Sequence, residues 1–238
     1  MKHGEARFLS CMYVLSLLLL AGFAANGLRS AAAVSAETAV PVVIVLDPGH
    51  GGMDGGAAGA DGTLESSLNL SIALKTDAVL GLLGEQTLLT RSTDADLSGP
   101  EAKTISQKKV SDIRRRVEIV NSQAGALLLS IHCNTYSEEK YHGAQVFYTG
   151  TASKALAEVL QEALQAHVDP GNTRKAKTIS PDVYLMKHIT APGVLLECGF
   201  LSNPAELRNL KDPGYQNRLA VTIAVTAAGY RPENFSGV

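Results

Sequence analysis

The sequence predicts an α/β fold: a single domain built on a mostly parallel, twisted β-sheet with helices on both faces. Three observations carry this expectation. Continuous apolar, β-branched runs such as VVIVLD (Val42–Asp47), ALLLSIHCN and PGVLLECGF have the pattern of strands buried on both faces. Segments of helical periodicity alternate with them, mostly through short connections. The chain has 238 residues, 45% of them hydrophobic, which suits one domain with a substantial core.

The elements follow in order. Residues 1–36 stand apart from the rest. Lys2 and Arg7, against Glu5, precede the uncharged run FLSCMYVLSLLLLAGFAA, and Val34-Ser35-Ala36 has the small-residue character of a cleavage site. This reads as a secretory signal peptide. The run over residues 8–25 is also just long enough to span a bilayer, so an uncleaved signal anchor is the alternative. Either reading places the body of the protein outside the cytoplasm, secreted or membrane-anchored. Residues 37–41 read as a linker, 42–230 as the folded domain and 231–238 as a tail.

Within the domain, the first strand runs into a glycine-rich loop, IVLDPGHGGMDGGAAG. Leu64, Leu68, Ile72, Val79 and Leu83 recur near helical spacing and predict an amphipathic helix. QTLLTR reads as a second strand and residues 92–108 as an exposed polar loop. Ser111-Asp112 is positioned to cap a helix over IRRRVEIVNS. After ALLLSIHCN, GAQVFYTG reads as a strand and ASKALAEVLQEALQAHV as a helix, stopped by Asp169-Pro170-Gly171. DVYLMKH and PGVLLECGF read as strands, Asn203-Pro204 opens a short helix, and YQNRLAVTIAVTAAGY closes the domain as a longer one. There is no internal repeat and no appended interaction module.

Charge and cysteine usage narrow the partners. A net charge of −2 gives no support for a nucleic-acid ligand. Three cysteines, of which Cys11 lies in the apolar run, make no disulfide framework. Cys133 and Cys198 read as buried thiols that pack as small hydrophobes, with a single bridge between them as the alternative.

In open parallel sheets, ligands bind beyond the carboxyl ends of the strands. Three polar residues occupy such places: His50 after the first strand, His132 ending LLLSIH, and Glu197 ending GVLLE. The glycine loop is a poor phosphate cradle. No lysine occurs between Val42 and Leu74, and Asp54 stands where a dinucleotide fingerprint needs a glycine. A metal site suits the residues better. Hydrolytic zinc commonly takes three His and Glu ligands and keeps one position open. His50 and His132 are candidates, and Glu65, fifteen positions after His50 at the start of the first helix, can supply a carboxylate. Taken singly, His50 reads as a plain loop residue, His132 as a hydrogen-bonded core histidine and Glu65 as a first-turn acid complementing the helix dipole. Glu197 resists such a reading, because an acid ending an apolar strand is costly unless paired or functional.

LDPGHGG with a downstream glutamate, SIHCN, LLECGFLSN, and RRRVEIVN with Arg116 and Asn121 occur in register over about Val42 to Tyr230. Together they resemble the zinc-dependent N-acetylmuramoyl-L-alanine amidases of the amidase 3 branch. The polar insert before the Arg helix and DVYLMKH…PGVLLECGFLSNPAE resemble the germination-specific members of that family, which act on spore-cortex peptidoglycan. The sequence departs from the family pattern at Gly125-Ala126, where an acid is usual, and at Cys133.

The resemblance implies Zn2+ held by His50, Glu65 and His132, with Glu197 as the catalytic acid/base. It implies hydrolysis of the amide between the lactyl group of N-acetylmuramic acid and L-alanine, as a first step toward muramic-δ-lactam with a muramic acid deacetylase downstream. It further implies a place in the forespore intermembrane space. With no wall-binding module and only a strand-end site to hold metal and glycan, a regulatory or metal-stabilising protein partner is expected. Asp47, Asp54, Asn69 and Asn134 are candidates to hold the histidines' other ring nitrogens, though Asp47 reads better as a cap for the loop. Arg116 reads as a structural ion-pair or hydrogen-bond donor. The alternatives are a vegetative cell-wall amidase, a zinc carboxypeptidase and a non-catalytic peptidoglycan-binding protein. The carboxypeptidase lacks its expected H-x-x-E pair, and the complete His50, Glu65, His132 and Glu197 set disfavours a degenerate site.

Overall fold

The computed structural model describes residues 42–230. The expected signal segment with its apolar run over 8–25, the linker and the C-terminal tail lie outside the described residues. Twelve elements follow in chain order: β1 (Val43–Pro48), α1 (Glu65–Leu82), β2 (Gln86–Leu89), α2 (Ile105–Asn121), β3 (Ala126–Asn134), β4 (Gln145–Tyr148), α3 (Gly150–His167), β5 (Lys177–Thr178), α4 (Tyr184–His188), β6 (Gly193–Phe200), α5 (Pro204–Lys211) and α6 (Pro213–Gly229).

The strands form one six-stranded sheet in the order β2-β1-β3-β6-β4-β5. β2, β1, β3 and β6 are mutually parallel, whereas β4 pairs antiparallel with β6 and parallel with β5. This is the expected mostly parallel sheet, and alternation along its strands divides the core in two. Ile44, Leu46, Leu127, Leu129, Ile131 and Leu196 pack with Leu68 and Ile72 of α1, Leu160 of α3 and Ile223 of α6. Val45, Leu128 and Leu195 turn to the other face and meet Val120 of α2 and Leu185 and Met186 of α4. Burying a large aliphatic side chain contributes about 1.5–3 kcal/mol, so the central strands anchor the molecule.

Two expectations are corrected. The segment 92–108 is not loop throughout, and α2 does not start at Ser111-Asp112. It starts after Thr104, whose hydroxyl accepts from Gln107 N while the Gln107 side chain accepts from Thr104 N. Only Arg116 and Val120 of α2 are buried, so the added turns show no apolar period to read. DVYLMKH is not a strand. Leu185 and Met186 are adjacent and both buried, which the alternation of a strand does not give, and they sit on the short helix α4. The two-residue strand β5 carried no signal of its own.

The α5 and α6 boundaries have local causes. The Asn203 side chain accepts from Ala205 N and Glu206 N, Asp212 accepts from Tyr215 N, and a proline follows each cap. Cys133 and Cys198 are buried free thiols in the α1-side core, one residue from His132 and Glu197 on their strands. Pleating therefore sends the thiols to one face and the polar side chains to the other. Among the described residues, no helix is long and apolar enough to cross a membrane.

Candidate metal centre

The chain leaves β1 at Pro48 and turns sharply. His50 adopts φ 61°, followed by Gly51 at φ 135° and Gly52 at φ 56°. A left-handed histidine is uncommon, and its backbone strain must be offset by surrounding contacts. Two buried guanidiniums supply them. Arg91, at the end of the β2 segment, donates from Nε to Pro48 O at 2.9 Å and from one Nη to Gly49 O at 3.0 Å and Ser66 O at 2.9 Å. Arg116 of α2 donates to Pro48 O at 2.9 Å and His50 O at 2.7 Å. Three consecutive carbonyls are thus held by charged donors.

Arg116 has the structural role expected of it, and Asp47 does not. Asp47 caps no loop. It is fully buried, accepts from Thr90 Oγ1 at 2.7 Å and Ser130 Oγ at 2.8 Å, and pairs with Arg116 at 2.7 Å. Burial favours its neutral form, but Arg116 and the hydroxyls outweigh that and lower its pKa. Arg91 is a residue the sequence reading missed. Its one signal was a charge ending an apolar strand, the same signal that singled out Glu197. Asn121 ties α2 to the approach of β6, donating to His188 O at 3.0 Å and accepting from Thr190 N at 2.9 Å.

The loop and α1 bring His50, Glu65 and His132 together. One ligand atom from each lies within 4.8 Å of the others. His50 Nε2 is 3.3 Å from Glu65 Oε2, and His132 Nδ1 is 3.0 Å from Glu65 Oε1. Two imidazole nitrogens and a carboxylate oxygen form a donor set that suits zinc. The packing preserves this space. A Cβ on Gly49 would stand 2.1 Å from His132 Cε1, and one on Gly56 would stand 2.5 Å from Glu65 Oε2 and 2.7 Å from His50 Cδ2. The residues therefore fit a metal ion.

Hydrogen bonds orient the donors. His50 Nδ1 donates to Asp54 Oδ2 at 2.8 Å, and Asp54 is paired with Lys109 at 2.8 Å. That contact directs Nε2 toward Glu65, the arrangement found behind metal-bound histidines. Of the four candidates for this role, Asp54 fills it. Asp47 serves Arg116, Asn69 donates to Glu65 Oε1 and Gly49 O, and Asn134 Oδ1 accepts from Thr135 N. Glu65 also accepts from Ala57 N at 2.9 Å and Cys133 N at 3.2 Å. Burial opposes its ionisation, but His132 and His50 hold its carboxyl far below the usual range. Burial likewise opposes charge on His50, yet Glu65 and Asp54 raise it to about 9.

Glu197 stands differently. It is the register partner of His132 across β3 and β6. Its Oε2 is buried without a hydrogen-bond partner. Burial pushes its carboxyl up to about 7; His132 and His50 oppose that shift and Glu65 adds to it. A carboxyl balanced near neutrality beside a metal-type cluster can take up and release a proton.

Residues 44–227 match the family described as N-acetylmuramoyl-L-alanine amidase. The chain is 40% identical over 183 residues to the germination-specific N-acetylmuramoyl-L-alanine amidase of Bacillus subtilis (strain 168), covering 76% of each chain. It is 28% identical over 233 residues to the N-acetylmuramoyl-L-alanine amidase AmiA of Escherichia coli (strain K12), covering 79% of this chain and 75% of that one. The fold is similar to the CwlD amidase from Clostridioides difficile, solved in complex with the GerS lipoprotein. The TM-score is 0.75 at 39% identity, with 78% of this chain and 96% of that chain covered.

Proposed function

The chain belongs to the N-acetylmuramoyl-L-alanine amidase family, and from that premise we propose how its strand-end residues perform the reaction and where the substrate lies. The activity is hydrolysis of the amide joining the lactyl group of N-acetylmuramic acid to L-alanine in peptidoglycan. In the proposed site, His50, Glu65 and His132 hold zinc and Glu197 is the catalytic acid/base. Bound zinc supplies a Lewis acid for the carbonyl and lowers the pKa of water to about 7.

The chain's own residues do the remainder. Asp54 fixes the tautomer of His50 through Nδ1, so the ring offers Nε2. Glu65 is kept ionised and oriented by its backbone and side-chain donors. Glu197 accepts the proton of the attacking water on its carboxylate, then returns it to the leaving amine of L-alanine. An amine leaves an amide readily only when protonated, so one carboxyl serves both halves of the reaction. The observation that carries this reading is the partnerless buried Oε2 of Glu197, register partner of a histidine in a three-donor cluster.

The substrate is proposed to be spore-cortex peptidoglycan, with removal of stem peptides as the first step toward muramic-δ-lactam and a muramic acid deacetylase next. Similarity to the germination-specific enzyme of Bacillus subtilis supports this reading over a vegetative one. The proposed location is outside the cytoplasm, in the forespore intermembrane space, with residues 1–36 as signal or anchor. A regulatory protein partner is proposed because the similar CwlD amidase was solved with a lipoprotein.

Digestion of purified peptidoglycan by zinc-loaded protein, read by mass spectrometry, tests the assignment. New L-alanine amino termini are expected, and their absence with folded, metal-replete protein overturns it. Muramic residues lacking stem peptides in cortex, lost when the gene is deleted, are expected for the spore role. Unchanged cortex would return the vegetative reading.

A further inference from the structure

The polar side chains at the strand ends continue past Glu197. Gln145 of β4 is its antiparallel register partner, so the two side chains rise from the same face of the sheet. Gln145 is buried and accepts from Arg174 Nη at 2.9 Å while its own Nε2 donates to Lys175 O at 2.9 Å. His132, Glu197, Gln145 and Arg174 therefore form one row that leads out of the candidate centre. It ends in a groove of about 570 Å³ whose lining includes Lys140, Tyr141, Arg174, Lys175 and Lys177.

No aspartate or glutamate lines this groove among the described residues. Lys140 is paired with Glu138, but Lys175 and Lys177 are exposed and in no ion pair among the described residues. Arg174 is fixed rather than free. It donates from Nε to His142 O at 2.6 Å, and its guanidinium lies 4.5 Å from the centre of the Phe200 ring. Those contacts use two of its five N–H donors and leave others for a ligand. A guanidinium over an aromatic ring, flanked by two exposed ammonium groups, is suited to carboxylates.

We infer that this groove is the subsite for the stem peptide, with Arg174, Lys175 and Lys177 binding its carboxylates while the scissile amide lies at Glu197. The inference rests on the amidase reading of the strand-end centre. The chemistry of the substrate fixes the direction. Once the lactyl carboxyl is tied up in the amide, the N-acetylated glycan is neutral, whereas the peptide beyond L-alanine carries free carboxylates. A cationic groove on the β4–β5 side of Glu197 therefore takes the peptide, and the glycan extends the other way.

The test compares muramoyl tetrapeptides bearing free carboxylates with the same peptides amidated at those groups. Wild type is expected to show a KM roughly tenfold lower for the free acids, the scale of one charge-assisted hydrogen bond. Lys175→Glu with Lys177→Glu, both at exposed positions, removes that preference. Arg174→Lys, which keeps the charge but not the fork, weakens it. Equal KM values in wild type, or a preference surviving in the double variant, overturn the inference.

Calorimetric titration of the free stem tetrapeptide separates the two readings. If neither substrate is cut but the tetrapeptide binds and the double variant loses that binding tenfold, the amidase reading falls and the cationic subsite stands. If substrates are cut and the tetrapeptide binding is absent or unchanged in the variant, the subsite falls alone.

Discussion

The two sides of the candidate centre treat a carboxylate in opposite ways. On the β1–β3 side, Glu65 accepts from Ala57 N, Cys133 N, Asn69 and the two histidines, and its proton is held off far below neutrality. On the β6 side, Glu197 has an oxygen with no donor and a carboxyl raised to about 7. The difference teaches what each place is for. A ligand must be oriented and permanently charged, so donors surround both of its oxygens. A proton carrier must exchange its proton, so its environment leaves one oxygen unanswered.

Changes on either side test that contrast. The largest effect is expected from Glu197→Ala, which should lower kcat about 10³-fold, as loss of a general acid/base does. Zinc content by elemental mass spectrometry should stay at the wild-type level, and loss of the metal would move Glu197 into the ligand set. Next comes Arg116→Ala, which leaves Asp47 charged and unpaired in the core. Unfolding free energy should fall by about 3–5 kcal/mol, measured by urea denaturation. A fall under about 1 kcal/mol would mean the loop is held without it.

Asp54→Ala removes the acceptor behind His50. Zinc affinity, measured by competition with a chromogenic chelator, should drop about 10–100-fold with kcat of the loaded enzyme little changed. Reversal of that split would give Asp54 a part in the reaction. The smallest effect is a slope. Zinc needs His50 unprotonated at Nε2, and the imidazole without metal titrates near 9. Below that pH a proton must be displaced, so apparent affinity should fall about tenfold for each unit of acidification and level off above it. A flat profile between pH 6 and 8 would show that the carboxylates do not raise His50.

How much of this was legible follows from the same physics. His50, His132 and Glu197 stood out because the first follows an apolar strand and the other two end one, and strand ends in a parallel sheet converge. Glu65 came from its position at a helix start, across a loop whose glycines let it fold back. Arg91 was hidden because its carbonyl acceptors come from β1 and α1, far away in sequence. The start of α2 was hidden because that helix faces solvent along most of its length. The reversed direction of β4 follows from the link before it. Residues 135–144 contain no helix, and a parallel crossover needs a dozen or more residues, usually helical.

Consider again the grip of Arg91 and Arg116 on the carbonyls of Pro48, Gly49 and His50. Every amino acid has a carbonyl, so the grip is blind to what it grips. The bend is specified by the guanidiniums at 91 and 116 together with the left-handed glycines at 51 and 52, and the residues at 49 and 50 are left to answer other demands. Gly49 makes room for His132, and His50 faces the donors opposite. Shape and reactivity are thus encoded at separate addresses, and a designer could rewrite one without erasing the other.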